Sequence, residues 1–158
     1  MNVTISLAPV RKTIKVKANQ ERAFDIFTSG MGRWWIKGHS INASPQQDVI
    51  VEPRAGGRWY ERGEDGSECH WGYVIDWDPP RRVVLAWQIN SKWRFDPSLV
   101  AELEIHFIPE EGGIMTRVEL EHRNLDRYGA KAGEMRKSLD SEGGWTGLLQ
   151  NFIKEVAN

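Results

Sequence analysis

Cysteine is almost absent from this chain of 158 residues, which contains only Cys69. A single cysteine excludes an intrachain disulfide, so we expect a reducing, cytoplasmic setting. No stretch approaches the roughly 18 apolar residues that a membrane-spanning helix needs. Residues 1–13 also lack the basic segment and apolar run of a secretion signal. The sequence therefore predicts no membrane span.

An excess of either charge is also missing, since 21 Lys and Arg residues face 22 Asp and Glu residues. Nucleic-acid-binding proteins usually show a strong basic excess on one face, so no nucleic-acid partner is expected. No Cys-x-x-Cys or His-x-x-x-His spacing occurs. Cys69 and His70 are adjacent in a predicted strand and point to opposite faces. We therefore predict no metal site and no cofactor.

Tryptophan, in contrast, is abundant, with 8 residues. Such rings either pack in a core or line an aromatic pocket. The stretch from 54 to 72, RAGGRWYERGEDGSECHWG, concentrates several of them around an Asp-Gly turn typical of a hairpin. We interpret this stretch as one wall of the fold, without a reactive centre.

Alternation of apolar and polar residues predicts seven strands. They cover 10–18, 48–53, 57–63, 68–77, 82–89, 101–109 and 114–122. Helical spacing predicts two short helices after the first strand, one from Gln20 to Gly30 and one over 31–35. In the strand 68–77 both faces are partly apolar, so periodicity leaves open which face points inward.

The clearest helix is the last one. Its apolar stripe follows helical spacing and comprises Trp145, Leu148, Leu149, Phe152, Ile153 and Val156. Consecutive strands joined by short turns pair antiparallel, and a twisted sheet curls. The order predicts a single α+β domain over residues 1–158, in which a curved antiparallel sheet of about six or seven strands wraps around a long C-terminal helix.

Four segments together resemble the helix-grip fold of the START and Bet v 1-like superfamily, and more narrowly the family of the activator of the heat shock protein 90 ATPase. They are AFDIFTSGMGRWW (23–35), EPRAGGRWYERGEDGSECHWGYVIDWDPPRRVVLAWQI (52–89), VELEHRNL (118–125) and GGWTGLLQNFIKEV (143–156). The resemblance covers nearly the whole chain. It implies a helix-grip domain in which Gly72 and Val74 face inward.

The resemblance implies several functions, because this superfamily includes lipid and hormone carriers, polyketide cyclases and co-chaperones. We expect a protein that binds an apolar or aromatic small molecule between the sheet and the C-terminal helix. An enzyme of the polyketide cyclase or dehydratase type is the alternative. A co-chaperone-like module is a weaker one, because eukaryotic co-chaperones add an N-terminal domain and this sequence begins one strand before the helix-grip domain.

A cavity of this kind would be lined by the inward faces of the strands and the last helix. The expected lining residues are Trp35, Trp59, Trp71, Trp87, Leu103, Phe107, Leu120, His122, Trp145 and Phe152. His122 is either a hydrogen-bonded core histidine or a polar group that orients a ligand or moves a proton. Glu61 is its candidate partner in an enzyme, although no catalytic residue is assigned. His39 and His106 are expected to face solvent.

Overall fold

The computed structural model describes residues 7–158. Seven strands form one antiparallel sheet in the order β1-β7-β6-β5-β4-β3-β2. They are β1 (Val10–Val16), β2 (Gln46–Val51), β3 (Arg58–Gly63), β4 (Glu68–Asp78), β5 (Arg82–Trp87), β6 (Ala101–Glu110) and β7 (Met115–Arg123). The predicted helix-grip fold is confirmed.

In the described part of the chain, four α-helices accompany the sheet. They are α1 (Gln20–Thr28), α2 (Met31–Trp34), α3 (Ala132–Asp140) and α4 (Trp145–Val156). The two short helices follow β1 as predicted, and the Asn19 side chain caps α1 by accepting a hydrogen bond from the Arg22 backbone N–H at 2.8 Å. Within residues 7–158, the longest apolar helices fall short of what a bilayer crossing requires.

A bulge in β4 settles which of its residues point inward. Trp59 pairs with Gly72 but Tyr60 pairs with His70, so Trp71 is an extra residue between them. Gly72 and Val74 are buried, as the resemblance implied, and the bulge buries Trp71 beside them. Strict alternation would have placed Trp71 on the opposite face from Gly72.

The buried face of the sheet packs against α4. Trp145, Leu148, Leu149, Phe152 and Val156 of the helix are all less than 5% exposed. Ile153 was expected in this stripe, but it is 37% exposed. The expectation was wrong because successive helical residues turn by about 100°, which carries Ile153 past the edge of the buried stripe.

The other face of the sheet carries ion pairs. Glu104 accepts hydrogen bonds from Arg82 Nε at 2.6 Å and from Arg123, and it also contacts His106. Partial burial opposes ionisation of Glu104, yet the two guanidinium groups hold the pKa of its carboxyl at about 2. This side of the sheet is therefore polar, and the apolar pocket described next lies on the helix side.

Candidate functional site

A pocket of about 410 Å³ lies at one end of the fold, where the start of α4 meets the sheet. Five tryptophans line it, and the four buried ones are Trp35, Trp71, Trp87 and Trp145. Its other walls come from the turn around residues 38–41, from Ile89 and Trp93, and from residues 138–144. The volume lies in the range of about 300–1,000 Å³ that is usual for ligand pockets.

The four tryptophans come from four separate elements. Trp35 follows α2, where the backbone becomes extended, while Trp71 lies in β4, Trp87 ends β5 and Trp145 begins α4. The ring centroid of Trp35 lies 4.8 Å from that of Trp71 and 5.7 Å from that of Trp145. These distances fit favourable aromatic contacts, so Trp35 joins the sheet to the helix at the base of the pocket.

Hydrogen bonds fix three of these indoles from behind. Trp71 Nε1 donates to Glu61 Oε1 at 3.0 Å. Trp87 Nε1 donates to the Tyr128 hydroxyl at 2.8 Å. Trp145 Nε1 donates to His122 Nδ1 at 3.0 Å. Because these N–H groups already have acceptors within the protein, the indoles contribute mainly apolar ring surface to the pocket.

The ten residues expected to line a cavity divide into three groups. Trp35, Trp71, Trp87 and Trp145 are on the pocket wall. Trp59 and His122 lie behind it, with the Trp59 ring 5.5 Å from Trp71 and the His122 ring 4.9 Å from Trp87.

The remaining four residues, Leu103, Phe107, Leu120 and Phe152, are buried in the core and do not line the pocket. The Phe152 ring packs 5.3 Å from Phe27, and the Phe107 ring 5.6 Å from the same residue. Side chains thus occupy the space between sheet and helix at this level. The opening is therefore at the end of the fold instead of along the length of α4.

His122 is a neutral, hydrogen-bonded histidine. The indole of Trp145 can only donate, so Nδ1 of His122 accepts and its Nε2 carries the proton. The side chain is fully buried, and loss of hydration lowers its pKa to about 3. Of the two interpretations left open by the sequence, this geometry fits the core histidine, which positions the Trp145 ring.

This burial predicts a dependence of stability on pH. An unfolded histidine has a pKa of about 6.5, so between about pH 3 and 6.5 the unfolded chain binds a proton that folded His122 does not. The free energy of unfolding should therefore fall as the pH drops through this window, and this contribution should be fully present above it. Urea unfolding between about pH 4.5 and 7 should show a slope that grows as the pH falls and approaches about 1.4 kcal/mol per pH unit at the acid end of this range.

The variant His122→Gln isolates this contribution. Glutamine keeps an acceptor for Trp145 but has no proton to gain in this range. The slope should be markedly smaller in the variant than in the wild type. An equal slope in both proteins would show that another group causes the acid sensitivity.

Glu61 is completely buried and holds together several parts of the pocket. Besides Trp71, its carboxylate accepts hydrogen bonds from the backbone N–H of Ile41 at 2.7 Å and from Ser40 Oγ at 2.6 Å. The hydrogen-bond partners of Glu61 are therefore Trp71, Ile41 and Ser40, and not His122, the partner that the sequence suggested. Through these bonds Glu61 fixes the 40–41 turn against β4.

Sequence reasoning missed most of the loop residues of the pocket. They include His39, Ser40, Ile41, Trp93 and Gly144, and Leu139 near the end of α3 was missed as well. His39 is exposed as expected, but it also lines the pocket, and its Nε2 lies 2.6 Å from the carbonyl oxygen of Gly143. This bond links the turn after α2 to the segment before α4 across the pocket.

Gly144 permits a close approach of backbone segments at the same wall. A Cβ atom on this residue would lie 2.4 Å from the carbonyl oxygen of Leu139 and 2.5 Å from that of Ser138. Only glycine lets the end of α3 approach the start of α4 so closely. The Gly-Gly-Trp sequence at 143–145 could be recognised in the sequence, but the backbone contacts that Gly144 permits could not be predicted from it.

The part of the chain that the structure describes contains no group of three or more His, Cys, Asp or Glu residues suited to a metal ion. Burial, and then the charge of Glu61, raise the pKa of the Cys69 thiol.

The sequence profile of the family described as "Activator of Hsp90 ATPase homolog 1-like protein" matches residues 1–158. No curated protein matches the chain. Among solved structures, the anthrahydroquino-gama-pyrone synthase Txn09, complexed with SUM, is 36% identical, with 94% of this chain and 97% of that chain covered and a TM-score of 0.65.

Two further solved structures extend the comparison. The self-sacrificing resistance protein CalC from Micromonospora echinospora is 32% identical, with 94% of each chain covered and a TM-score of 0.71. The Aha1 dimer from Colwellia psychrerythraea is 15% identical, with 95% of this chain and 96% of that chain covered and a TM-score of 0.62. At this lower identity the likeness concerns the fold alone.

Proposed function

We propose that this chain, which belongs to the activator of Hsp90 ATPase homolog 1-like family, binds a small, flat aromatic molecule in the tryptophan-lined pocket. The observation that carries the proposal is the convergence of four indole rings from four elements on a pocket of about 410 Å³. Apolar walls with a few polar groups are typical of small-molecule sites. Rings held by hydrogen bonds from behind need little reordering to bind a ligand, which favours affinity.

One of the more similar solved structures supports an aromatic ligand. Txn09 was solved in a complex and is described as an anthrahydroquino-gama-pyrone synthase, a name that refers to a fused ring system. A fused ring system is flat and offers faces and edges that pack well against indoles.

An enzyme of the polyketide cyclase or dehydratase type is the second candidate. It is favoured by the name of the synthase Txn09 and by the contact of Ser40, on the pocket wall, with the Glu61 carboxylate. Binding without turnover fits the geometry better, since His122 is buried behind Trp145 and its Nδ1 already accepts the Trp145 N–H. Incubation of bound ligands with the protein, followed by mass analysis, distinguishes the two candidates, because only an enzyme changes the ligand.

A co-chaperone-like role is supported less well. The Aha1 dimer shares the fold at an identity too low to transfer a partner. Ligand binding, in contrast, uses a feature of this chain's own structure.

Trp93 and Phe95 provide a matched pair of variants for the binding test. Both are exposed aromatic residues in the turn after β5, at 42% and 37%, but only Trp93 lines the pocket. Trp93→Ala should weaken the binding of a flat aromatic ligand about tenfold, because one stacking surface worth about 1.4 kcal/mol is lost. Phe95→Ala should leave the affinity unchanged.

The test begins with a panel of fused aromatics, screened by the melting temperature of the wild type. A ligand at about 100 times its dissociation constant adds roughly 2.7 kcal/mol to stability, which produces a clear shift. Titration calorimetry on both variants then gives the affinities. An equal loss of affinity in the two variants, or an unchanged affinity in Trp93→Ala, would contradict the placement of the ligand in the pocket.

A further inference from the structure

Ser40, on the pocket wall, forms a hydrogen bond with the buried carboxylate of Glu61. Ser40 lines the pocket, and its Oγ lies 2.6 Å from Oε2 of Glu61. Glu61 is 0% exposed, and no Lys, Arg or His within residues 7–158 forms a salt bridge with it. A buried carboxylate without a cation depends on hydrogen-bond donors for its stability.

The donors to Glu61 determine the direction of the bond from Ser40. Oε1 accepts from Trp71 Nε1 and from the backbone N–H of Ile41, both of which can only donate. Oε2 is left to accept the hydrogen bond that the Ser40 hydroxyl donates at 2.6 Å. The single proton of Ser40 is thereby used within the protein.

Ser40 Oγ keeps acceptor capacity on the wall. A hydroxyl oxygen has two acceptor positions. The backbone N–H of Asn42 occupies one of them at 3.2 Å. Oγ also lies 3.5 Å from the carbonyl oxygens of Asn42 and Ser44, which cannot donate, so its other acceptor position remains for a group that donates. Polarisation of Ser40 by the carboxylate makes its oxygen a better acceptor.

We infer that Ser40, held by Glu61, selects aromatic ligands that carry a neutral hydroxyl group able to donate to Ser40 Oγ. This inference rests on the proposed function and names its ligand class. An ether or a carbonyl group at the same place has no proton to donate. A ligand carboxylate would in addition face the negative charge of Glu61, which costs binding energy.

Four naphthalenes of similar shape test this selection. They are 2-naphthol, 2-methoxynaphthalene, unsubstituted naphthalene and 2-naphthoate. The wild type should bind 2-naphthol about tenfold more tightly than 2-methoxynaphthalene, which corresponds to about 1.4 kcal/mol, and should bind 2-naphthoate most weakly. Affinities are measured by titration calorimetry at neutral pH.

Three serine variants identify the residue responsible. Ser40→Ala should reduce the ratio of naphthol to ether affinity to about one while naphthalene binds as before, and Ser40→Thr, which keeps a hydroxyl, should restore the ratio. Ser138→Ala is the matched control, because Ser138 is a second pocket serine, whereas the groups that donate to Glu61 belong to Ser40, Ile41 and Trp71. This variant should keep the wild-type ratio.

Two results would overturn the inference. One is a ratio of naphthol to ether affinity near one in the wild type. This measurement uses no variant, so it does not depend on how well Ser40→Ala folds. The other is an unchanged ratio in folded Ser40→Ala. In both cases naphthalene still binds and the proposed function stands, whereas failure of all four compounds to bind would overturn the proposed function and this inference with it.

Discussion

A chain that ends at Gly144 should fail to fold. It lacks α4, and with it five side chains that are less than 5% exposed, Trp145, Leu148, Leu149, Phe152 and Val156. Burial of each large apolar side chain contributes about 1.5–3 kcal/mol. Their sum is comparable to the whole stability of a typical domain, about 5–15 kcal/mol. Far-ultraviolet circular dichroism during heating should show no cooperative transition.

The exposed side of the same helix supplies the control. Ile153→Ala changes an apolar residue of α4 that is 37% exposed. Surface substitutions of this kind change stability by about 0.5 kcal/mol or less, so the variant should melt close to the wild type. A truncated chain that unfolds cooperatively near the wild-type temperature would show that the sheet does not need α4.

Gly72→Val should also have a severe effect, because the side chain has no room. A Cβ atom at position 72 would lie 1.7 Å from the carbonyl oxygen of Ala86 and 2.8 Å from its carbonyl carbon. Both are backbone atoms of the neighbouring strand β5, so no side-chain rotation relieves the overlap. The strands must separate, which breaks pairs such as Gln88 N–H with the Trp71 carbonyl oxygen at 2.8 Å.

The loss should exceed the roughly 1–3 kcal/mol that overpacking of a core usually costs, because backbone pairing is broken as well. Gly72 faces Trp87 in the register of the two strands, so the pocket wall should be disturbed too. Urea unfolding monitored by tryptophan emission measures the change. A loss below about 1 kcal/mol would contradict the close contact of the strands.

Gly133→Ala is the matched glycine control. This residue lies within α3, and a Cβ atom on it would meet nothing within 4 Å. Alanine in a helix interior is favoured over glycine by about 0.5–1 kcal/mol, so this variant should be slightly more stable than the wild type. If Gly72→Val lowers the free energy of unfolding and Gly133→Ala raises it, the effect of steric overlap is distinguished from that of backbone conformational freedom.

The elements of the fold were readable from sequence because their signals are local. The alternation in residues 101–109 and 114–122 reports one buried face of each strand, and the stripe from Trp145 to Val156 matches α4 in both bounds. The bulge at Trp71 was not readable. Both faces of that strand are partly apolar, so the pattern carried no sign of an extra residue.

The candidate site was readable only in part. Apolar patterning reveals that Leu103 and Phe152 are buried, but not whether the surrounding space is filled. The pocket walls at Ser40, Trp93 and Gly144 come from loops far apart in the chain, and the contacts that bring them together are not local. The sequence offered Glu61 only as a candidate partner of His122, and its bonds to Ser40 and Trp71 could be found only in three dimensions.

Nuclear magnetic resonance of the indole N–H groups tests the site of binding most directly. The 8 tryptophans of ¹⁵N-labelled protein give separate probes. Titration with 2-naphthol should shift the signals of the five pocket tryptophans, Trp35, Trp71, Trp87, Trp93 and Trp145. The signals of Trp34, in the core beside Phe27, and Trp77, beside Phe24, should stay in place. Shifts confined to Trp34 or Trp77, or no shift with any aromatic ligand at millimolar concentration, would contradict a binding site in the tryptophan-lined pocket.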